Sequence, residues 1–151
     1  MEQFDPKKAQ RVWKRIQSVQ KNDTSQTDLD AMITAAATAR AVYLRLAQHE
    51  LAGESVVLKK LAEKKQTQSA CLNGMRLLAA GRTYHTAVPQ ITIHAPLTTL
   101  RRWCWNEIRT LREYELRIAE RDFGSVYSEL VTEQRLICRT ILELVGRLDK
   151  N

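Results

Sequence analysis

Apolar residues recur at intervals of three and four along four long stretches of this chain, and that period confines it to helices with one apolar stripe each. The first stretch predicts a helix over about 28 to 51, with Leu29, Ile33, Ala36, Arg40, Tyr43 and Ala47 on its stripe. Gly53 marks a turn. A second helix then runs to about Ala80, carrying Leu58, Leu61, Lys65, Gln68, Leu72, Met75 and Ala79 inward, and Gly81 closes it. The third, over about 97 to 121, points Leu100, Cys104, Glu107, Leu111, Tyr114 and Ile118 inward. A short turn at Asp122 to Ser125 leads to the fourth, about 125 to 148, with Val126, Leu130, Glu133, Ile137, Ile141, Leu144 and Leu148 on its stripe. Residues 81 to 96 hold Pro89 and Pro96 and form the one long connection. Its Ile-Thr-Ile-His segment has no partner strand and reads as extended loop.

The expected fold class is therefore all-α: two tight helical hairpins joined by a crossover along the length of a four-helix bundle. A short lead helix precedes it. Asp5 and Pro6 open that helix, and Ala9, Val12, Trp13 and Ile16 share one face. The polar run Lys-Asn-Asp-Thr-Ser-Gln-Thr separates it from the bundle, so residues 1–26 are assigned to the lead helix and linker and 27–151 to the bundle.

At 151 residues, with 44% hydrophobic and 27% charged, the chain suits one domain with a full core. No apolar run approaches the roughly 18 residues of a membrane span, and the amino terminus has no apolar stretch like a signal peptide. The expected location is the cytoplasm. Cys71, Cys104 and Cys138 are odd in number and lie beside apolar helical positions, which favours buried thiols over disulfides or ligands.

Charge at core positions is the feature a bundle has to explain. Arg40, Lys65 with Gln68, Glu107 and Glu133 all fall on inward stripes that otherwise read Leu, Ile, Val and Tyr. The two halves of the bundle also repeat faintly. Tyr43 follows Ala36 by seven residues and Tyr114 follows Glu107 by seven, and each half offers a second position, at Lys65 and Glu133.

Over about residues 28 to 148 this pattern resembles the ferritin-like proteins of the rubrerythrin type, on the segments AEKKQTQSACLNG and FGSVYSELVTEQRLICRTILELVG. In that family each half supplies a Glu from its first helix and a Glu-x-x-His from its second, and the six side chains hold two iron or manganese ions. Carried over residue by residue, the resemblance puts Glu107 and Glu133 at ligand positions in the second half, with Leu136 in place of the histidine. In the first half Ala36, Lys65 and Gln68 stand where Glu, Glu and His would be. The resemblance thus implies the fold together with a degenerate metal site, no catalytic residue and no cofactor, iron or manganese being the alternative.

Charge counting gives those replacements a shared logic. Two carboxylates against Lys65 and Arg40 make a neutral layer, with Lys65 extending between Glu107 and Glu133 as a permanent stand-in for metal. Tyr43 and Tyr114 are placed as hydrogen-bonding remnants around it. His49, His85 and His94 are not three residues after an inward glutamate and read as exposed or loop histidines.

The function implied is a non-catalytic scaffold or interaction subunit, with homodimerisation or a partner protein as its mode of action. A metal-binding protein with an altered site is the first alternative. The second is a nucleic-acid-binding bundle, because the net charge is +7 and basic residues cluster on the lead helix (Lys7, Lys8, Arg11, Lys14, Arg15), along the second helix (Lys59, Lys60, Lys64, Arg76) and on the third (Arg101, Arg102, Arg109, Arg112), but they alternate with acids round several helices and no stacking platform is evident. Trp103 and Trp105 straddle Cys104, so one should pack inward and the other face outward. No catalytic triad, glycine-rich phosphate loop or cofactor fingerprint occurs.

Overall fold

A computed structural model describes residues 28–49, 51–87 and 90–150. The lead helix and its linker lie outside the described residues. Within them the chain is all-helical: α1 (28–48), α2 (Ser55–Ala80), α3 (Pro96–Arg117) and α4 (Gly124–Asp149), with a single 3-10 turn at Ala52–Glu54 between α1 and α2.

The helix ends follow local chemistry. Gly81 caps α2 in the left-handed conformation (φ 80°), its N–H donating to the Leu77 carbonyl at 2.8 Å, a conformation that costs any residue with a Cβ. Pro96 opens α3, where its missing N–H is no loss, and the extended Ala95 before it suits the pre-proline position. At the start of α4 a Cβ on Gly124 would collide with the Ile118 carbonyl oxygen, so the tight α3–α4 turn depends on glycine there.

The connection from α2 to α3 is extended and is tied to the bundle side. Asn73 receives the Tyr84 N–H at 2.7 Å and donates to the Tyr84 carbonyl at 3.0 Å, and the Thr34 hydroxyl donates to that of Thr86 at 3.2 Å. Farther along, Ile91 and Ile93 pack on the core at the far end of α1. The described segments on either side of residues 88–89 thus both lie beside α1, before Pro96 opens α3.

Two apolar clusters fill the core. One contains Val42, Leu46, Leu58, Leu100, Ile141 and Leu144. The other, at the opposite end, contains Leu29, Ile33, Leu72, Met75, Tyr114 and Tyr127. Between them lies a layer whose buried side chains are polar: Lys65, Gln68, Glu107 and Gln134.

Candidate functional site

Lys65 reaches this layer from α2, and its whole side chain is only 1% exposed. An ammonium buried so completely requires partners for all three protons. It has them: Glu107 Oε1 at 2.8 Å, Gln68 Oε1 at 2.7 Å and Gln134 Oε1 at 3.4 Å. The carboxylate of Glu107 is matched as fully. Its Oε1 also accepts from Gln134 Nε2 at 3.2 Å, and its Oε2 accepts the Tyr43 hydroxyl at 2.7 Å.

The two amides close the ring. Gln68 Nε2 donates to Gln134 Oε1 at 2.8 Å, Gln134 Nε2 donates to the Glu107 main-chain carbonyl at 2.8 Å, and the Tyr114 hydroxyl lies 3.5 Å from Gln68 Oε1. All four helices contribute. Among the described residues, no buried side-chain nitrogen or oxygen lacks a hydrogen-bond partner. Burial pushes Tyr43 well above the ordinary tyrosine range and the Glu107 charge adds to it; the same two causes raise Tyr114. Both phenols consequently stay protonated and donate.

Three expected members of the layer belong elsewhere. Arg40 is exposed, because the α1 stripe continues from Ala36 through Ala39 and Tyr43 and leaves position 40 on the flank beside the crossover. Glu133 is exposed too and forms a surface pair with Lys64 at 3.8 Å. Its place is taken by Gln134, one residue on, because the buried face of α4 runs Tyr127, Leu130, Gln134, Ile137, Ile141, Leu144. Leu136 is 42% exposed and has no part in the layer. Ala36, Lys65, Gln68 and Glu107 are buried as expected, and Tyr43 and Tyr114 are both within the network. The layer is neutral, but with one cation and one anion where the sequence reading expected two of each.

Gln134 was the residue that sequence reasoning missed. Glu133 satisfies a three-residue step from Leu130 and a four-residue step to Ile137 as readily as Gln134 satisfies the reverse. Tyr127 and Val131, which flank the true stripe, carried the missing signal.

The donor set does not fit a pair of divalent cations. One carboxylate, one ammonium and two amides supply too little negative charge, and the ammonium occupies the space between them. His49, His85 and His94 are all exposed. No group of three or more His, Cys, Asp or Glu side chains suited to a metal occurs among the described residues. Cys71, Cys104 and Cys138 are free thiols. Burial and the Glu107 charge raise the Cys104 thiol and push Cys138 up to about 11, so neither is a nucleophile at neutral pH.

The layer's edge meets a surface groove at Gln68. A groove of about 340 Å³ between α2 and α4 is floored by Cys71, Val126 and Leu130, rimmed by Glu63, Lys64, Glu129 and Glu133, and touches the network only at Gln68. No family model, curated protein or solved structure matches the chain. Among the described residues, no helix is long and apolar enough to cross a membrane.

Proposed function

We propose that this protein is a ferritin-like bundle of the rubrerythrin type in which a fixed ionic and amide network has replaced the di-metal centre, and that it serves as a non-catalytic scaffold or interaction subunit. The observation that carries this reading is the Lys65–Glu107 pair, 2.8 Å apart with side chains 1% and 2% exposed. It sits at the level where the family resemblance puts metal ligands, on helices joined in two hairpins by a long crossover. An ammonium held there supplies the positive charge that metal ions would otherwise supply, and it cannot leave.

Nothing in the layer is poised for chemistry. Lys65 and Glu107 neutralise each other, both amides are hydrogen-bonded at nitrogen and oxygen, and both nearby phenols are held protonated. What such a layer does well is fix the register of four helices, since any slip would strand buried charge. Three free thiols suit a reducing compartment and support a cytoplasmic setting.

Elemental mass spectrometry on protein purified without chelator, after growth with added iron, manganese and zinc, tests the reading. Less than about a tenth of an equivalent of metal is expected, following from the poor fit of the donor set. One or two equivalents, lost on Glu107→Gln, would overturn it.

A further inference from the structure

Basic residues are divided by type along this chain. From Pro96 to Asp149 every one is arginine, whereas α2 carries Lys59, Lys60, Lys64 and Lys65. Arginine differs from lysine in offering a planar fork that grips phosphate through two hydrogen bonds and stacks on flat rings. The fold then sorts these arginines by face. On α3, Arg102, Trp105, Arg109, Arg112 and Leu116 recur at steps of three and four, all exposed, on the side opposite the buried Leu100, Cys104, Glu107 and Tyr114. Trp105 is 69% exposed at the centre of that stripe. Large aromatic rings are seldom left so open without a partner.

The neighbouring helix continues the pattern. Asp149 of α4 pairs with Arg101 of α3, which places the α4 flank that shares its register, Arg135, Arg139 and Leu142, along the α3 side. Two of the four acids of α4 lie on its other flank: Glu133 pairs with Lys64 of α2, and Glu129 and Glu133 rim the α2–α4 groove, while Asp149 is paired with Arg101 and Glu143 stays beside Arg139. Among the described residues, Arg102, Arg109, Arg112, Arg135 and Arg139 are in no ion pair, although Glu113 and Glu143 lie one turn from Arg109 and Arg139. Glu107, which the sequence places among these arginines, is buried and neutralised by Lys65.

We propose that the outward face of α3 and α4 binds single-stranded nucleic acid, with Arg102, Arg109, Arg112, Arg135 and Arg139 on phosphates and the Trp105 indole stacked on a base. The stripe on α3 runs about 21 Å from Arg102 to Leu116, long enough to track several nucleotides of a backbone. The exposed indole is what favours nucleic acid over an acidic protein. Carboxylate partners satisfy guanidinium groups equally well, but bases alone give a flat ring a stacking partner at every step. The arginine face lies on the outside of α3 and α4, away from the Lys65–Glu107 layer.

Fluorescence anisotropy of a labelled 12-nucleotide oligo-dT, titrated with the full chain at two salt concentrations, is the test. Binding should weaken steeply as salt rises, and the double variant Arg109→Glu/Arg112→Glu should bind at least about tenfold more weakly. Trp105→Ala should lose about tenfold while Trp105→Phe keeps most of the affinity, the pattern expected of stacking. Lys59→Glu/Lys60→Glu makes the same change in net charge on exposed positions of α2 and should cost less than about threefold, as screened charges off the contact face do. Three results would each overturn the proposal: no binding at about 100 μM protein in low salt, equal losses from the arginine and lysine pairs, or no effect of Trp105→Ala with polyglutamate competing as well as oligo-dT.

Discussion

Lys65 and Glu107 meet at 2.8 Å across the middle of the bundle, from α2 and α3, two helices that do not pack directly on one another. Each is the other's only counter-charge in the layer. Their union therefore ties the two hairpins together at a level where apolar packing is interrupted. Replacing both by apolar groups can be nearly neutral in such a case, whereas removing one leaves a buried charge with no counter-ion.

Lys65→Met should accordingly cost about 3–5 kcal/mol in urea unfolding, and Glu107→Gln a comparable amount. The double variant Lys65→Met/Glu107→Gln should recover a large part of that loss, with a coupling well above about 1 kcal/mol. Strictly additive losses would mean that the two side chains act separately, and the account of a metal-replacing pair would fail.

Gln134 and Glu133 give a sharp contrast between adjacent positions. Gln134→Leu removes two donors and an acceptor from Lys65, Gln68 and Glu107, and should cost about 1–3 kcal/mol or more because charged partners are left short. Glu133→Gln removes only an exposed pair with Lys64 and should change stability by less than about 0.5 kcal/mol. Denaturation curves of the two variants measured side by side decide it; a larger loss from Glu133→Gln than from Gln134→Leu would place α4 in the register with Glu133 inward.

That register error marks the boundary of what was legible. The all-helical class and the four long helices of the described residues follow from the apolar period and from the glycines and prolines between them, all of which act locally. The burial of Lys65 was also readable, since position 65 continues the stripe through Leu58, Leu61 and Leu72. The choice between positions 133 and 134, and between Arg40 inward and outward, turns on about a quarter of a helical turn. Only packing against three other helices settles a rotation that small. Arginines along the third helix were readable too, but in the sequence Glu107 lies among them, and its withdrawal into the core is a tertiary fact.

Gly124 starts α4 where a Cβ would overlap the Ile118 carbonyl oxygen. Main-chain atoms on both sides of that contact cannot yield as a flexible side chain would. Gly124→Ala should destabilise by about 1–3 kcal/mol, the range for forced backbone shifts. Gly146 faces open space, so Gly146→Ala should instead be neutral or stabilising by up to about 1 kcal/mol through helix propensity. Thermal melts of the pair would show the opposite signs.

Stability should be steady near neutral pH and fall in alkali. Cys138 is pushed up to about 11 and Tyr127 to about 12, both chiefly by burial, and Tyr43 and Tyr114 are raised by burial with the Glu107 charge behind it. In each case the folded state holds its proton to higher pH than the unfolded chain does. Unfolded cysteine and tyrosine release theirs near 8.5 and 10 on typical values, so above about pH 9 the unfolded state binds fewer protons and folding stability declines as pH rises. The loss should begin in the cysteine range and steepen through the tyrosine range. Urea unfolding at pH 7, 9 and 10.5 measures it, and Tyr43→Phe, which removes one of the raised groups, should flatten the upper part of the curve although it deprives Glu107 Oε2 of a donor. A curve that rises between pH 9 and 10.5 would contradict the burial of these phenols.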